Sequence, residues 1–460
     1  MRNMTLRRIA DACGGILHEK NNMGNQEVEC IVTDSRQAGP EALFAAIRGE
    51  RVDGHRFIPA VFEQGALCVL SEQELPEDTK GSWIKVISTL QALKDIAEYY
   101  LRQMNIPVVG ITGSVGKTST KEMIAAVLSQ KFNVLKTQGN FNNELGLPLT
   151  VFRLRDEHEI AVLEMGISDF GEMHRLAAIA KPNTCVITNI GTCHLENLGD
   201  RDGVLKAKTE VFDHLKENAS VILNGDDDKL AGVREVKGKI PVFFGMNPAF
   251  PVYADEVESQ GLKGISCRIH TPEGMFSVTV PIPGLHMVYN ALAGTAVGLT
   301  YGMNLDQIKT GIESLQPVSG RFHIIETDRF TIVDDCYNAN PMSMKASLGI
   351  LKDALGRKVA ILGDMGELGK DEAALHAEVG TAAGQSGIDV LICVGPLCEH
   401  MAAAAKESAE TCGREMSVIH MDTLDELVER LPHLLKQGDT ILVKASHFMH
   451  FETIVNHLQS

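Results

Sequence analysis

No Cys-x-x-Cys pair, no run of basic residues and no apolar stretch long enough to cross a bilayer occurs in these 460 residues. Each absence excludes something. Ten scattered cysteines build neither a disulfide framework nor a zinc site, and Cys393 with Cys398 also lacks zinc-site spacing, so small buried hydrophobes are expected. A net charge of −17, from 43 Lys plus Arg against 60 Asp plus Glu, argues against a nucleic-acid partner. The first ten residues have no apolar h-region after Arg7 and Arg8, so the expected location is the cytoplasm, without membrane insertion. No low-complexity segment or short-period repeat is visible. What remains is an ordinary globular composition, 44% hydrophobic and 22% charged, long enough for roughly three domains.

The chain is organised around Val108 to Thr120. A β-branched run suited to one buried strand ends in glycines at 110, 113 and 116. A helix pattern follows, with Met123, Ile124, Val127 and Leu128 on one side. Glycines let backbone amides approach an anion, and the unpaired N–H groups of a helix start add to them. Gly113, Ser114, Val115, Gly116, Lys117, Thr118 and Ser119 therefore read as a phosphate loop, with Lys117 on the β/γ-phosphates of ATP and the Thr118 hydroxyl on Mg²⁺. The usual spacing places glycine five residues before Gly116, where this chain has Ile111.

The expected fold is α/β in three parts. Residues 1–104 read as a small α/β domain, with Thr5 capping a helix through Cys13, strands at 28–33, 43–47 and 66–70 and a helix from Phe57. From 105 to 316, strands at 107–112, 132–136, 159–165, 184–189 and 219–223 alternate with helices, which implies a doubly wound, mostly parallel sheet. From 317 to 460 the alternation restarts as a Rossmann-like domain, with strands at 330–334, 358–362, 389–393, 417–420 and 439–443. Ligands of such sheets collect beyond the carboxyl ends of the strands.

That rule draws attention to Glu164 and to the loop from Asn189 to His194. A carboxylate behind an apolar strand is costly to bury unless it binds a cation or pairs, and Glu164 suits Mg²⁺. His194 alone is only a core or surface histidine. Lys206 and Lys208 lie on one helix pattern, whose bland reading is a solvated face. Asn290 offers a donor and an acceptor to a base edge. Asp334 to Pro341, with two acids and two amides before a proline, suggests a polar site at a strand end, although a capped turn uses similar residues. Thr33 to Arg36 and Gly49 to His55 are polar loop clusters, more often turn chemistry than a site.

With these stretches together the chain resembles the Mur ligase family, the ATP-dependent amide-forming ligases of peptidoglycan precursor synthesis, over essentially all three domains. Thr112 to Thr120 is similar to that family's phosphate loop, which accounts for the shifted glycine. The resemblance implies metal contacts at Thr118, Glu164 and His194, and nucleotide or phosphate contacts at Asn189, Asn290 and Arg321. It implies closure over ATP by Arg321 and Asp335 to Asn340, including Asn338. Lys208 falls where some relatives carry a carbamylated lysine. Asp34, Ser35, Asp53 and His55 would hold a UDP-sugar in the first domain. Gly139 to Pro148, Asp335 to Pro341 and Leu362 to Gly369 imply UDP-N-acetylmuramoyl-tripeptide and D-alanyl-D-alanine as substrates, contacted through Asn140, Asn142, Asn143, Lys444 and Ser446. The Asp-Asn-Pro-Arg motif of the member adding the third amino acid is absent. Met287, Ala445 and His447 depart from the residues common in the family.

ATP would phosphorylate the peptide's terminal carboxylate, because an amide forms only when oxide is replaced by a better leaving group. The resemblance makes Lys117, Lys208, Arg321 and Asp335 the catalytic candidates, in a protein expected to be a monomer. Two other readings are a sister ligase adding another amino acid or a polyglutamate tail, and a phosphate-loop NTPase acting as a regulatory binding module.

Overall fold

Runs of aliphatic and β-branched residues with no polar face become strands covered on both sides, since such a strand has nowhere to point a polar group. Val108–Thr112, Ile160–Glu164, Thr184–Ile187, Val390–Val394 and Asp439–Lys444 are buried at every position. A computed structural model describes every residue except Glu50, which belongs to the polar cluster at 49–55, and Ser460. The chain divides into two compact units. Met1–Thr112, Lys131–Val186 and Lys208–Val221 form the first, and Gly113–Gln130, Ile187–Ala207 and Ile222–Ser460 the second.

In the first unit a five-stranded sheet runs in the order Ile16–His18, Ser82–Lys85, Cys68–Ser71, Ala42–Ala45, Cys30–Val32. Its first pair is antiparallel and the other pairs are parallel. Thr5 caps Leu6–Ala12 by accepting from Arg8 N, as its position predicts. The same unit carries Val134–Lys136, Ile160–Glu164 and Val108–Thr112 side by side and parallel.

The second unit opens with helix Lys117–Leu128, which buries the four predicted residues Met123, Ile124, Val127 and Leu128. Glycines let neighbouring helices come close to it. A Cβ at Gly294 would stand 3.1 Å from Met123 Cγ, and one at Gly311 only 2.4 Å from Val127 Cα.

Strict alternation fails between 252 and 280. Val252–Ser259, Ile265–Thr271 and Gly274–Val280 form an antiparallel meander. Buried positions alternate with wetter ones over Val252–Ala254, Ile265–Ile269 and Val278–Val280, so one face is wet there, a condition that antiparallel sheets tolerate. Gly264 and Gly274, with φ of 129° and 137°, make the turns.

Beyond 320 a six-stranded sheet runs His323–Glu326, Phe330–Asp334, Asp439–Lys444, Lys358–Gly363, Val390–Val394, Ser417–Met421. Only its first pair is antiparallel, and apolar clusters cover both faces. Insertion of the last strand between the first two parallel ones brings Asp334, Gly363 and Lys444 to neighbouring carboxyl ends. The ten cysteines are unpaired and six are buried. Among the described residues no helix is long and apolar enough to cross a membrane.

Candidate active site

The phosphate loop is shaped by the segment that leaves strand Thr184–Ile187. Ser114 N donates to Asn189 O at 3.0 Å and Val115 N to Asn189 Oδ1 at 2.9 Å. Asn189 Nδ2 and Thr188 Oγ1 donate back to Val115 O, at 2.9 and 2.7 Å, and Ser114 Oγ accepts from Gly191 N at 2.8 Å. Sequence reasoning aimed all the loop amides at phosphate. Those of Ser114 and Val115 instead hold the loop's form, and the donors presented at the helix start are those ahead of Thr120 N, which makes the bond to Gly116 O. Gly116 adopts φ of 82°. Lys117 Nζ folds over the loop, 2.9 Å from Gly113 O and 3.4 Å from Ser114 O. The arrangement fits a polyphosphate tail: inward carbonyls are occupied, and a cation lies over the turn. Ser119 follows on the same first helical turn.

Arg321 reaches this loop from a distant part of the chain. Its Nη2 lies 3.4 Å from Thr118 Oγ1, and its guanidinium covers the Tyr337 ring at 3.9 Å. Gly320 takes φ of 73° and Phe322 φ of 54°. Two acids fix that strained turn. Asp334 Oδ2 accepts from Gly320 N at 2.7 Å, and Asp335 Oδ1 from Phe322 N at 3.2 Å. The other oxygen of Asp335 accepts from Ser347 Oγ and from Lys444 Nζ, each at 2.6 Å. Lys444 is buried and also donates to Asn338 O at 3.2 Å. Ser446 Oγ accepts from Gly366 N at 2.9 Å and meets Ala339 O at 3.4 Å. Lys444 and Ser446 thus brace the loop carrying Asp335 and Asn338.

His194, with φ of 54°, places Nδ1 2.8 Å from Glu367 Oε2, and Glu367 itself has φ of 62°. The hydrogen bond from His194 holds the Glu367 carboxyl below its ordinary range. Asn290 is buried, its Oδ1 accepting from Thr120 Oγ1 at 2.7 Å and its Nδ2 facing Met287 Sδ. That amide ties helices Lys117–Leu128 and Leu285–Thr300 together.

In the first unit, Glu164 is buried at its strand end, with Oε1 accepting from Asn142 Nδ2 at 2.7 Å. Asn143 Oδ1 accepts from Gly146 N at 2.8 Å, and Asn142 N donates to Asn140 O at 2.7 Å, so the three asparagines form one tight turn. Lys208 is fully buried; its helix does not leave it on a solvated face. Asp34 caps the turn Ser35–Gln37 and pairs with Arg36, which pulls its carboxyl down to about 2. Asp53 accepts from His55 Nδ1 at 2.6 Å, while His55 Nε2 accepts from Glu72 N at 2.9 Å. His55 is therefore held as the Nδ1–H tautomer.

Sequence reasoning missed Tyr337 as the support of Arg321, Asp334 as the clamp on Gly320, and Glu367 as the partner of His194. Tyr337 and Asp334 stood in a quoted motif without a role. For Glu367 no local signal pointed to His194.

Three segments match Mur ligase families: "Mur ligase family, catalytic domain" over residues 27–110, "Mur ligase middle domain" over 111–298, and "Mur ligase, glutamate ligase domain" over 320–447. The UDP-N-acetylmuramoyl-tripeptide--D-alanyl-D-alanine ligase of Bacillus subtilis is 37% identical, over 99% of this chain and 98% of its own length. That of Escherichia coli is 35% identical, over 100% and 99%. A crystal structure of MurF from Acinetobacter baumannii has a TM-score of 0.90 at 34% identity, covering 99% of this chain and 98% of that one. MurF ligase from Thermotoga maritima in complex with ADP has a TM-score of 0.81 at 30% identity, covering 94% and 97%.

Proposed function

The chain belongs to the Mur ligase family, and from that membership we propose that it joins D-alanyl-D-alanine to UDP-N-acetylmuramoyl-tripeptide at the expense of ATP, in peptidoglycan precursor synthesis. The observation that carries the reading is Arg321 at the phosphate loop: a cation from residues beyond 316 stands at Thr118, where charge would move during phosphoryl transfer. We assign residues 1–104 to the UDP-substrate, 105–316 to ATP and 317–460 to closure.

A terminal carboxylate oxygen of the tripeptide attacks the γ-phosphorus of ATP, ADP leaves, and an acyl phosphate forms. The D-alanyl-D-alanine amine then attacks the carbonyl carbon, and the tetrahedral intermediate collapses with loss of phosphate. Lys117 and Arg321 stabilise the negative charge on the transferring group. Asp335 and Asn338, braced by Lys444, support the turn that carries Arg321; closure there would keep water from the acyl phosphate, and Lys444 and Ser446 are also assigned to the D-alanyl-D-alanine end. Thr118, Glu164 and His194 are the donors we assign to Mg²⁺, which supplies charge neutralisation at the phosphates. A hydroxyl and a buried carboxylate suit that hard cation, and His194 has turned Nδ1 to Glu367, leaving Nε2 for it. Lys208 is the position we assign to a carbamate, which would exchange a buried ammonium for an anion. Asp34, Ser35, Asp53 and His55 are assigned to the UDP-sugar, and Asn140, Asn142 and Asn143 to the peptide end. The protein is taken to work as a monomer in the cytoplasm.

ADP formation with each substrate omitted in turn tests this. The reading requires both UDP-N-acetylmuramoyl-tripeptide and D-alanyl-D-alanine. Turnover with a single amino acid in place of the dipeptide would make the chain a sister ligase, and nucleotide binding without carboxylate-dependent ADP release would make it a regulatory NTPase.

A further inference from the structure

Asp213, His174 and His214 form a hydrogen-bonded chain on the surface of the first unit. Asp213 Oδ2 lies 2.9 Å from His174 Nδ1, and His174 Nε2 lies 3.1 Å from His214 Nε2. With Nδ1–H donated to the carboxylate, the lone pair of neutral His174 sits on Nε2, the atom that faces the second imidazole. The ring centroids are only 4.3 Å apart with planes inclined by 68°, so the rings meet in a T-shaped edge contact rather than head to head.

Two metal–nitrogen bonds of about 2.0–2.1 Å, meeting at roughly 90–110°, put their nitrogens about 2.8–3.4 Å apart. The observed 3.1 Å falls within that interval. The backbones that carry the rings are already fixed to each other. Glu210 accepts from Gly171 N at 2.9 Å and from His174 N at 3.3 Å, which docks the turn Glu210–His214 on the start of helix Glu172–Ala180. A carboxylate behind a ligating imidazole is the usual outer-shell partner of a metal-bound histidine.

We propose that His174 and His214 bind one divalent transition ion of the zinc, nickel or copper class through their Nε2 atoms, with Asp213 orienting His174 from behind. Imidazole pairs select those ions over magnesium. Half of the His174 side chain is exposed (51%), so water completes the coordination. The buried group Asp364, His376 and Cys398 also brings three ligand types together, yet its atoms are engaged: His376 Nε2 accepts from Met365 N and Asp364 Oδ1 from Cys398 N, each at 2.9 Å. An ion at His174 and His214 would staple the turn to the helix. That turn directly continues helix Arg201–Thr209, which carries Lys208.

The test uses the full chain without a histidine tag, titrated with Zn²⁺, Ni²⁺ and, as control, Mg²⁺ by calorimetry, with Co²⁺ absorption to report the ligand type. The expected result is one Zn²⁺ or Ni²⁺ per chain, a Co²⁺ spectrum without thiolate charge transfer, and loss of that site in both His174→Gln and His214→Gln. Asp213→Asn should weaken binding by about 10- to 100-fold. Circular dichroism in EDTA should show all variants folded. Binding unchanged in His214→Gln, a thiolate band, or no Zn²⁺ bound to the wild-type chain would each overturn the proposal.

Discussion

Arg321 Nη2 stands 3.4 Å from Thr118 Oγ1 while the face of the same guanidinium lies on Tyr337 at 3.9 Å. The ring holds the cation's plane and leaves its edge for the phosphate loop. A cation–π contact of this kind contributes about 0.5–2 kcal/mol. Tyr337→Leu should therefore lower ligation by about 2- to 30-fold, whereas Tyr337→Phe keeps the ring and should stay near the wild-type rate. Steady-state ADP release from the two variants checks this.

Gly113 is constrained twice over. Its φ is 149°, and a Cβ there would lie 1.9 Å from Thr188 Oγ1, the hydroxyl that holds Val115 O. Gly113→Ala should strain the loop by about 1–3 kcal/mol, read as roughly 5- to 150-fold weaker ATP binding in a chain that still folds. Calorimetric titration with a non-hydrolysable ATP analogue, beside far-ultraviolet circular dichroism, separates the two effects.

Asp335 and Lys444 form a buried pair whose members also hold Phe322, Ser347 and Asn338. Removing one partner leaves an uncompensated charge. Asp335→Ala should cost about 3–5 kcal/mol of stability, and replacing both residues by apolar ones of similar volume should recover most of it. Urea unfolding of the single and double variants tests the difference.

Asp34 gives a pH signature. Arg36 holds its carboxyl down to about 2, below the roughly 3.9 of an unfolded aspartate. The stabilisation it carries is thus present above about pH 4 and fades as the pH falls toward 2. Because the pair lies at the surface with Arg36 exposed, the effect should be small and salt-sensitive. Carboxyl chemical shifts should titrate at about 2 in the wild type and rise in Arg36→Ala while staying below the roughly 3.9 of a free aspartate, because the backbone N–H of residue 36 still donates to Asp34 Oδ1.

Most buried parallel strands were legible within a residue or two, because a run such as Ile160 to Glu164 or Val390 to Val394 has few other uses, but the short parallel strands Ser82–Lys85 and Val242–Gly245 were not. The strand, glycine-rich loop and helix from Val108 to Leu128 were legible because their residues are consecutive. The meander from Val252 to Val280 was not foreseen, since half-wet strands mix polar and apolar residues and were absorbed into an expected alternation. Helix Thr89–Met104 had a readable signal in Ser88 and the apolar positions 92, 93, 96, 97, 100 and 101, and was passed over. The contacts of Arg321 with Thr118 and of Glu367 with His194 join residues far apart in sequence, and no local pattern encodes such pairs.

The most direct test follows the oxygen. With ¹⁸O in the terminal carboxylate of UDP-N-acetylmuramoyl-tripeptide, attack on the γ-phosphorus carries one labelled oxygen into the released phosphate. The account predicts one ¹⁸O per phosphate, formed in step with the amide. Phosphate that draws its new oxygen from water, with the carboxylate label retained in full, would contradict it.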